Sequence, residues 1–186
     1  MAVAVRKLSA AEYLATPHDR RQRSELINGT VVVNEPKLPH ASAQGRLYRR
    51  LWNWIDDGDG RGHAGLPTDV TIDDDNVFAP DLWWVNEHRA PAENQLDLHG
   101  LPDLVVEIRS ASTWARDLAV KLPAYEGAGV VEAWYVDIDA RTVLVFRRSG
   151  PDAPTFDVTT EIGPDEELTS PLLPGFTLAV RLIFTG

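Results

Sequence analysis

An α/β (α+β) fold, a mixed β-sheet flanked by helices, is what the sequence predicts, and three observations predict it. Helical and strand periodicities alternate in the order helix, hairpin, helix, several strands, helix, strands. Helices laid against a mixed sheet are the natural packing of that order. The chain has 186 residues, the size of one domain, so a single domain over 1–186 is expected. Its content, 44% hydrophobic and 25% charged, is that of a globular chain able to bury a core.

Each element has a local cause. Ser9-Ala-Ala-Glu12 reads as a capping box, with a short helix through Leu14 that Pro17 ends. Ser24 to Val33 reads as a hairpin, because Asn28-Gly29 suits a type I′ turn in which both residues take positive φ. Pro36 and Pro39 mark a loop. Ala41 to Ile55 follows as an amphipathic helix, with Leu47, Leu51 and Trp54 on one stripe. Leu66 to Ile72 and Val77 to Val85 read as strands around the turn Asp73-Asp74-Asp75-Asn76. Asp103 to Arg109 is the clearest strand. A helix over Ala115–Ala128 carries Leu118, Leu122 and Tyr125 on one stripe; Pro123 should kink or split it, and Gly129 should cap it. Glu132–Asp137 and Thr142–Arg147 read as strands, with weaker strand signals at Thr155–Val158 and Phe176–Val180.

Composition excludes several classes of protein. The net charge of −10 argues against a general basic nucleic-acid coat or a polybasic membrane binder, while leaving room for a local basic patch. The absence of cysteine rules out disulfides, thiolate zinc sites and cysteine nucleophiles. No 18-residue apolar run provides a spanning helix, and the N-terminus lacks the apolar core of a signal peptide, so a cytoplasmic protein without membrane attachment is expected.

Two acids lie inside otherwise apolar strand patterns: Asp81 after Pro80, and Glu107 in Leu104–Ile108. A buried carboxylate costs several kcal/mol unless it is paired or ligates a cation. A shared divalent ion is one such reason, and hard oxygen ligands suit Mg²⁺ or Mn²⁺. A solvent-facing position beside Arg109 is the plainer alternative for Glu107. Lys121 lies on the following helix, where its ammonium can approach the same site; an exposed i,i+4 ion pair with Asp117 is its plainer role. Glu25 opens the hairpin as a further ligand or an edge-strand charge, and His40 precedes the helix at Ala41 as a helix-end residue. Asp73-Asp74-Asp75 is not a calcium loop, because Phe78 and Trp84 stand where the glycine and glutamate would be. Ser110-Ala111-Ser112-Thr113 fits a helix cap. The arginines form two clusters, Arg20, Arg21, Arg23 and Arg46, Arg49, Arg50, which suit a phosphate backbone, solvent or a subunit contact. Asp103 and Glu107 share one strand roughly 13 Å apart at about 3.3 Å per residue, too far for one ion, whereas strand pairing can bring Asp81 beside Glu107.

Five pieces in order resemble the Uma-type restriction endonuclease family, formerly a domain of unknown function, within the PD-(D/E)xK superfamily. They are Glu25-Leu26-Ile27-Asn28-Gly29; His40 opening a helix; Pro80-Asp81; Pro102 to Thr113 with Glu107; and Arg116-Asp117-Leu118-Ala119-Val120-Lys121 running on to Trp134-Tyr135-Val136-Asp137. The resemblance implies a restriction endonuclease-like core. It also implies a metal site of Asp81 and Glu107 with Glu25 as a further ligand, and Lys121 as the lysine that superfamily members carry two residues after the glutamate. The chain departs from the family pattern at Arg109, Pro123 and Ser110-Ala111-Ser112.

Two functions follow as expectations. The first is a Mg²⁺- or Mn²⁺-dependent endonuclease acting on DNA, with Asp81, Glu107 and Lys121 catalytic. The second is a non-catalytic module on the same fold that binds protein or nucleic acid. Six tryptophans, including the Trp83-Trp84 pair whose side chains face opposite ways, suggest a homodimer.

Overall fold

The computed structural model describes residues 6–16, 23–92, 95, 98–110 and 114–185. The capping box forms as expected: the Ser9 hydroxyl accepts the Glu12 N–H at 3.2 Å, and Glu12 Oε2 accepts the Ser9 N–H at 2.9 Å. Helix α1 (Ala10–Ala15) follows. Strands β1 (Arg23–Ile27) and β2 (Thr30–Asn34) turn on Asn28 and Gly29, at φ of 49° and 73°. Pro17, Arg20, Arg21 and Ala111 to Thr113 lie outside the described residues.

Helix α2 (Leu38–Asp56) starts three residues before the expected Ala41. Pro39 sits in its first turn, where a missing N–H breaks no hydrogen bond. His40 therefore lies inside the helix, on the buried stripe with Ala43, Leu47, Leu51 and Trp54.

The expected strand Val77–Val85 is two strands in two sheets. Strand β5 (Asn76–Phe78) belongs to an antiparallel sheet ordered β2-β1-β5-β4, in which β4 is Val70–Asp73. Strand β6 (Leu82–Val85) belongs to a six-stranded sheet ordered β10-β9-β8-β7-β6-β3. Ala79-Pro80-Asp81 makes the crossing, and Pro80, with no N–H to give a ladder, ends the first strand. The expected strand Leu66–Ile72 shortens to β4, and a separate β3 (His63–Gly65) pairs with β6.

The large sheet is mixed, as expected. Strands β7 (Leu104–Ile108) and β8 (Glu132–Asp137) are parallel, while β9 (Thr142–Arg147) and β10 (Val158–Ile162) add antiparallel. The helix joining β7 to β8 splits, as Pro123 predicts. A short α3 (Trp114–Arg116) runs into a π-turn over Asp117–Lys121, then into α4 (Leu122–Ala128) with Pro123 in its first turn. Gly129 caps α4 at φ 103°. The strand expected at Thr155–Val158 moves to Val158–Ile162, because side-chain bonds hold the preceding residues in a loop: Asp157 takes the Ser149 N–H and Glu126 takes the Phe156 N–H. Phe176–Val180 reduces to β12 (Leu178–Ala179), paired with β11 (Glu167–Leu168), because the Phe176 ring turns into the core against Trp54 and Trp134. A last helix, α5 (Arg181–Phe184), packs on α2.

Both faces of β7 are covered, so its expected alternation becomes continuous burial. Leu104, Val106 and Ile108 join the core under α2 and the C-terminal segment. Val105, and Glu107 two residues on, point to the other face, where Val105 meets Tyr125, Phe78 and Ile27. Trp83 stacks on His63 at 5.7 Å and donates its indole N–H to the Leu66 carbonyl at 2.8 Å. Its own chain covers it, so the tryptophan pair no longer argues for a subunit contact. Among the described residues, no helix is long and apolar enough to cross a membrane.

Candidate active site

Three elements converge where the two sheets meet. The crossing after β5 delivers Asp81, β7 delivers Glu107, and the π-turn delivers Asp117 and Lys121. Strand β1 adds Arg23 and Glu25. All four acids and Lys121 are buried, none more than 3% exposed.

Asp81 is held on both oxygens. Its Oδ1 accepts Arg23 Nη1 at 2.7 Å, and its Oδ2 accepts the Ile108 N–H at 2.7 Å and lies 3.0 Å from His40 Nε2. Arg23 also binds the Ala79 carbonyl, and Gln44 donates to the Asp81 carbonyl at 2.8 Å. These bonds satisfy the backbone of the crossing and aim the Asp81 side chain. Burial pushes the Asp81 carboxyl up, but the His40 bond and the Arg23 charge outweigh it and hold it below the usual range.

Glu107 shows the opposite balance. Burial is the largest influence and pushes it up to about 8. Lys121 opposes the rise, but its ammonium is shared, and Asp117, Asp81 and Glu25 all repel a second charge. Glu107 Oε1 accepts Lys121 Nζ at 3.0 Å and the Tyr125 hydroxyl at 2.7 Å. Its Oε2 takes no hydrogen bond among the described residues.

Lys121 faces three carboxylates: Glu25 at 2.7 Å, Glu107 at 3.0 Å and Asp117 at 3.7 Å. Burial disfavours its charge, yet Glu107, Glu25 and Asp117 outweigh that and raise its pKa. The expected i,i+4 pair with Asp117 does form, but inside the molecule rather than on an exposed face. Asp117, Lys121 and Tyr125 make up the buried stripe of this segment, in place of the expected Leu118, Leu122 and Tyr125.

A cavity of about 20 Å³, room for one water-sized group, opens among these side chains; Asp81, Glu107 and Lys121 all line it. His40, Arg23 and Asn34 line it too, and each carries a buried polar atom with no hydrogen-bond partner among the described residues: His40 Nδ1, Arg23 Nε and Asn34 Oδ1. Buried polar atoms are nearly always satisfied, so three orphans beside one cavity fit a polar guest there. Glu25 is not among the lining residues. Its Oε1 accepts the Ala79 N–H at 2.8 Å and faces Lys121, and its Oε2 accepts Asn34 Nδ2.

Arg109 does not reach Glu107. It pairs with Asp137 at 2.7 Å and Asp139 at 3.3 Å, beyond the C-terminal end of β7. Asp103 is likewise remote, pairing with Arg89 and accepting from Asn86. The sequence reading missed Asp117 and Tyr125 as members of the cluster, although their i, i+4, i+8 spacing with Lys121 was visible. It also left Arg23 among the surface basic residues. No pattern marked Asn34, which enters because the hairpin register pairs it with Arg23.

The donor set suits one kind of ion. Among the described residues, no three His, Asp or Glu side chains form a ready cage for a metal. Four acidic residues line the cavity, Asp81 and Glu107 together with Asp117 and Glu35, along with Asn34, whose Oδ1 has no partner among the described residues. A hard ion that keeps several waters and takes one or two protein carboxylates fits that set; an ion needing a full protein shell does not.

The fold has a solved counterpart. A crystal structure titled as a putative nuclease belonging to DUF820 from Anabaena variabilis superposes with a TM-score of 0.75 at 22% identity, covering 95% of this chain and 97% of that one. It shares the fold. The model of the Uma2 family, described as "Putative restriction endonuclease", matches residues 10–181, and the chain belongs to that family. No curated protein matches it.

Proposed function

We propose that this protein is a divalent-metal-dependent endonuclease that hydrolyses phosphodiester bonds in DNA. One observation carries the reading. Glu25, Asp81, Glu107 and Asp117 are four buried carboxylates that face two permanent cations among the described residues, Arg23 and Lys121, a deficit of two charges when all four are ionised and of one while Glu107 keeps its proton. A buried charge without a counter-charge is costly. A Mg²⁺ or Mn²⁺ ion would cancel the deficit, and when bound it supplies an activated water and stabilises charge on the leaving oxygen.

The chain's own residues do the rest. Asp81 and Glu107 offer oxygens to the ion from two different strands. Glu25 and Asp117 keep Lys121 charged and in place, so that its ammonium can steady negative charge on the phosphoryl group. Glu25 serves here as the anchor of Lys121, since its oxygens are engaged by Ala79, Asn34 and that ammonium. Arg23 and His40 hold Asp81 in one orientation, as partners of a ligand commonly do.

The test uses purified protein, bis(p-nitrophenyl) phosphate and supercoiled DNA, with Mg²⁺, Mn²⁺ or EDTA. Both substrates should be cleaved with metal alone. Asp81→Asn and Glu107→Gln should each lose at least a hundredfold while keeping native circular dichroism. Equal cleavage by wild type and both variants would reject the reading.

A second reading is a non-catalytic module. It is favoured by the fact that each of the four carboxylates already has a partner within the chain. Calorimetric titration separates the two: no uptake of Mn²⁺ at millimolar concentration favours the module.

A further inference from the structure

We infer that the exposed outer face of α2 is the surface along which the phosphodiester backbone of a nucleic acid lies as it approaches the Asp81–Glu107 cavity. The inference rests on the phosphodiesterase reading and adds to it where the polyanion binds.

Charge is the first argument. Two adjoining surface hollows, of about 380 and 360 Å³, share Ser42 and Arg46. Arg141 lines one and Arg49 the other, and no acidic residue lines either. In a chain of net charge −10 that is a local reversal of sign. None of the three arginines has an ion-pair partner among the described residues; Arg46 alone makes a hydrogen bond, to the Ile183 carbonyl at 3.3 Å. Arg46 and Arg49, three residues apart on one helix, are neighbours and repel each other. An anion lying between them removes that cost.

Access is the second argument. Gly45 is exposed in the middle of a 19-residue helix, and a Cβ added there would meet nothing within 4 Å. Packing within the chain therefore gives no reason for glycine at a position where it weakens a helix. Its effect is to leave the backbone uncovered at that one position, in the hollow lined by Ser42, Arg46 and Arg49, where a phosphate can approach closely.

Position is the third argument. The same helix carries His40 and Gln44, which hold Asp81. Arg46 and Arg49 follow His40 by roughly 9 and 14 Å along the axis at about 1.5 Å per residue. A backbone laid along this face therefore passes the arginines before it reaches the cavity.

The experiment is fluorescence anisotropy of a labelled duplex in Ca²⁺ as a function of salt, with bis(p-nitrophenyl) phosphate hydrolysis by the wild type in Mn²⁺ measured alongside. Arg46→Ala with Arg49→Ala should weaken binding at least tenfold at 0.1 M salt. It should flatten the slope of log affinity against log salt by about 2, close to 0.9 per lost phosphate contact. Arg46→Lys with Arg49→Lys should recover most of the slope, and Gly45→Glu should weaken binding without unfolding the helix. An unchanged slope in the alanine variant, or a wild type that does not bind the duplex, overturns the inference. So does light scattering that shows a wild-type dimer dissociated by Gly45→Glu, which would make this face a subunit contact. Hydrolysis of the small ester, which is too short to reach α2's outer face, reports on the cavity chemistry alone, so the two readings can fail separately.

Discussion

Lys121 holds three carboxylates on one ammonium, and that ratio sets what each substitution does. Removing the cation leaves Glu25, Glu107 and Asp117 buried together, and breaking a buried pair in this way costs about 3–5 kcal/mol. Lys121→Met should therefore lower the melting temperature by on the order of 10 °C for a chain of this size. Asp117→Asn acts the other way: it removes the most distant of the three acids, at 3.7 Å, and relieves repulsion on Glu107. Its melting temperature should stay level or rise. Thermal denaturation of the two variants checks the contrast, and equal losses in both would show that the cluster is not short of positive charge. At this scale Asp81 and Glu107 stood out in the sequence because acids in apolar strand patterns need a partner, whereas Lys121 was singled out by the family resemblance. Arg23 was not, because it sits among arginines of ordinary surface character and only the hairpin register turns it inward.

Elements were legible where local chemistry alone decides them. The Asn28-Gly29 turn, the α1 capping box and the break at Pro123 all follow from residues within a few positions. The two-sheet crossing was not, because Val77–Val85 is one apolar run and only Pro80 hints that its halves pair with different neighbours. Nor was the π-turn. Its Leu122 N–H reaches back five residues to the Asp117 carbonyl, which also accepts the Tyr135 hydroxyl at 3.1 Å, and so the buried stripe becomes polar. The β3–β6 pair offers a direct test of packing between elements. A Cβ at Gly65 would lie 2.0 Å from the Trp83 ring, which β6 presents to β3 in register. Overpacking of this kind costs about 1–3 kcal/mol or more. Gly65→Ala should lower the urea midpoint accordingly and shift tryptophan emission to the red as the Trp83 indole is displaced. A variant as stable as wild type would mean that the indole has room to move.

The whole molecule stores these local imbalances as a dependence of stability on pH. Glu107 moves from a usual 4.5 to about 8 on folding, with burial as the main cause. Between those values the folded chain keeps a proton that the unfolded chain has released, so stability falls as pH rises through that window. Asp81 is held below its usual 3.8, so its contribution is present above that value and is lost as pH falls beneath it. Together they favour a weakly acidic optimum in the absence of metal. A divalent ion held by Glu107, as proposed, would compete with its proton, so Mg²⁺ should raise the melting temperature more at pH 8.5 than at pH 5.5. The Glu107 part of the metal-free pH loss is on the order of a few kcal/mol. Glu107→Gln carries the neutral side chain at every pH and should flatten both effects. Scanning calorimetry at the two pH values, with and without Mg²⁺, gives the comparison. If wild type and Glu107→Gln lose the same stability between pH 5.5 and 8.5, Glu107 is ionised throughout. The folded chain would then tolerate all four ionised acids without a metal, and the charge deficit would no longer argue for one.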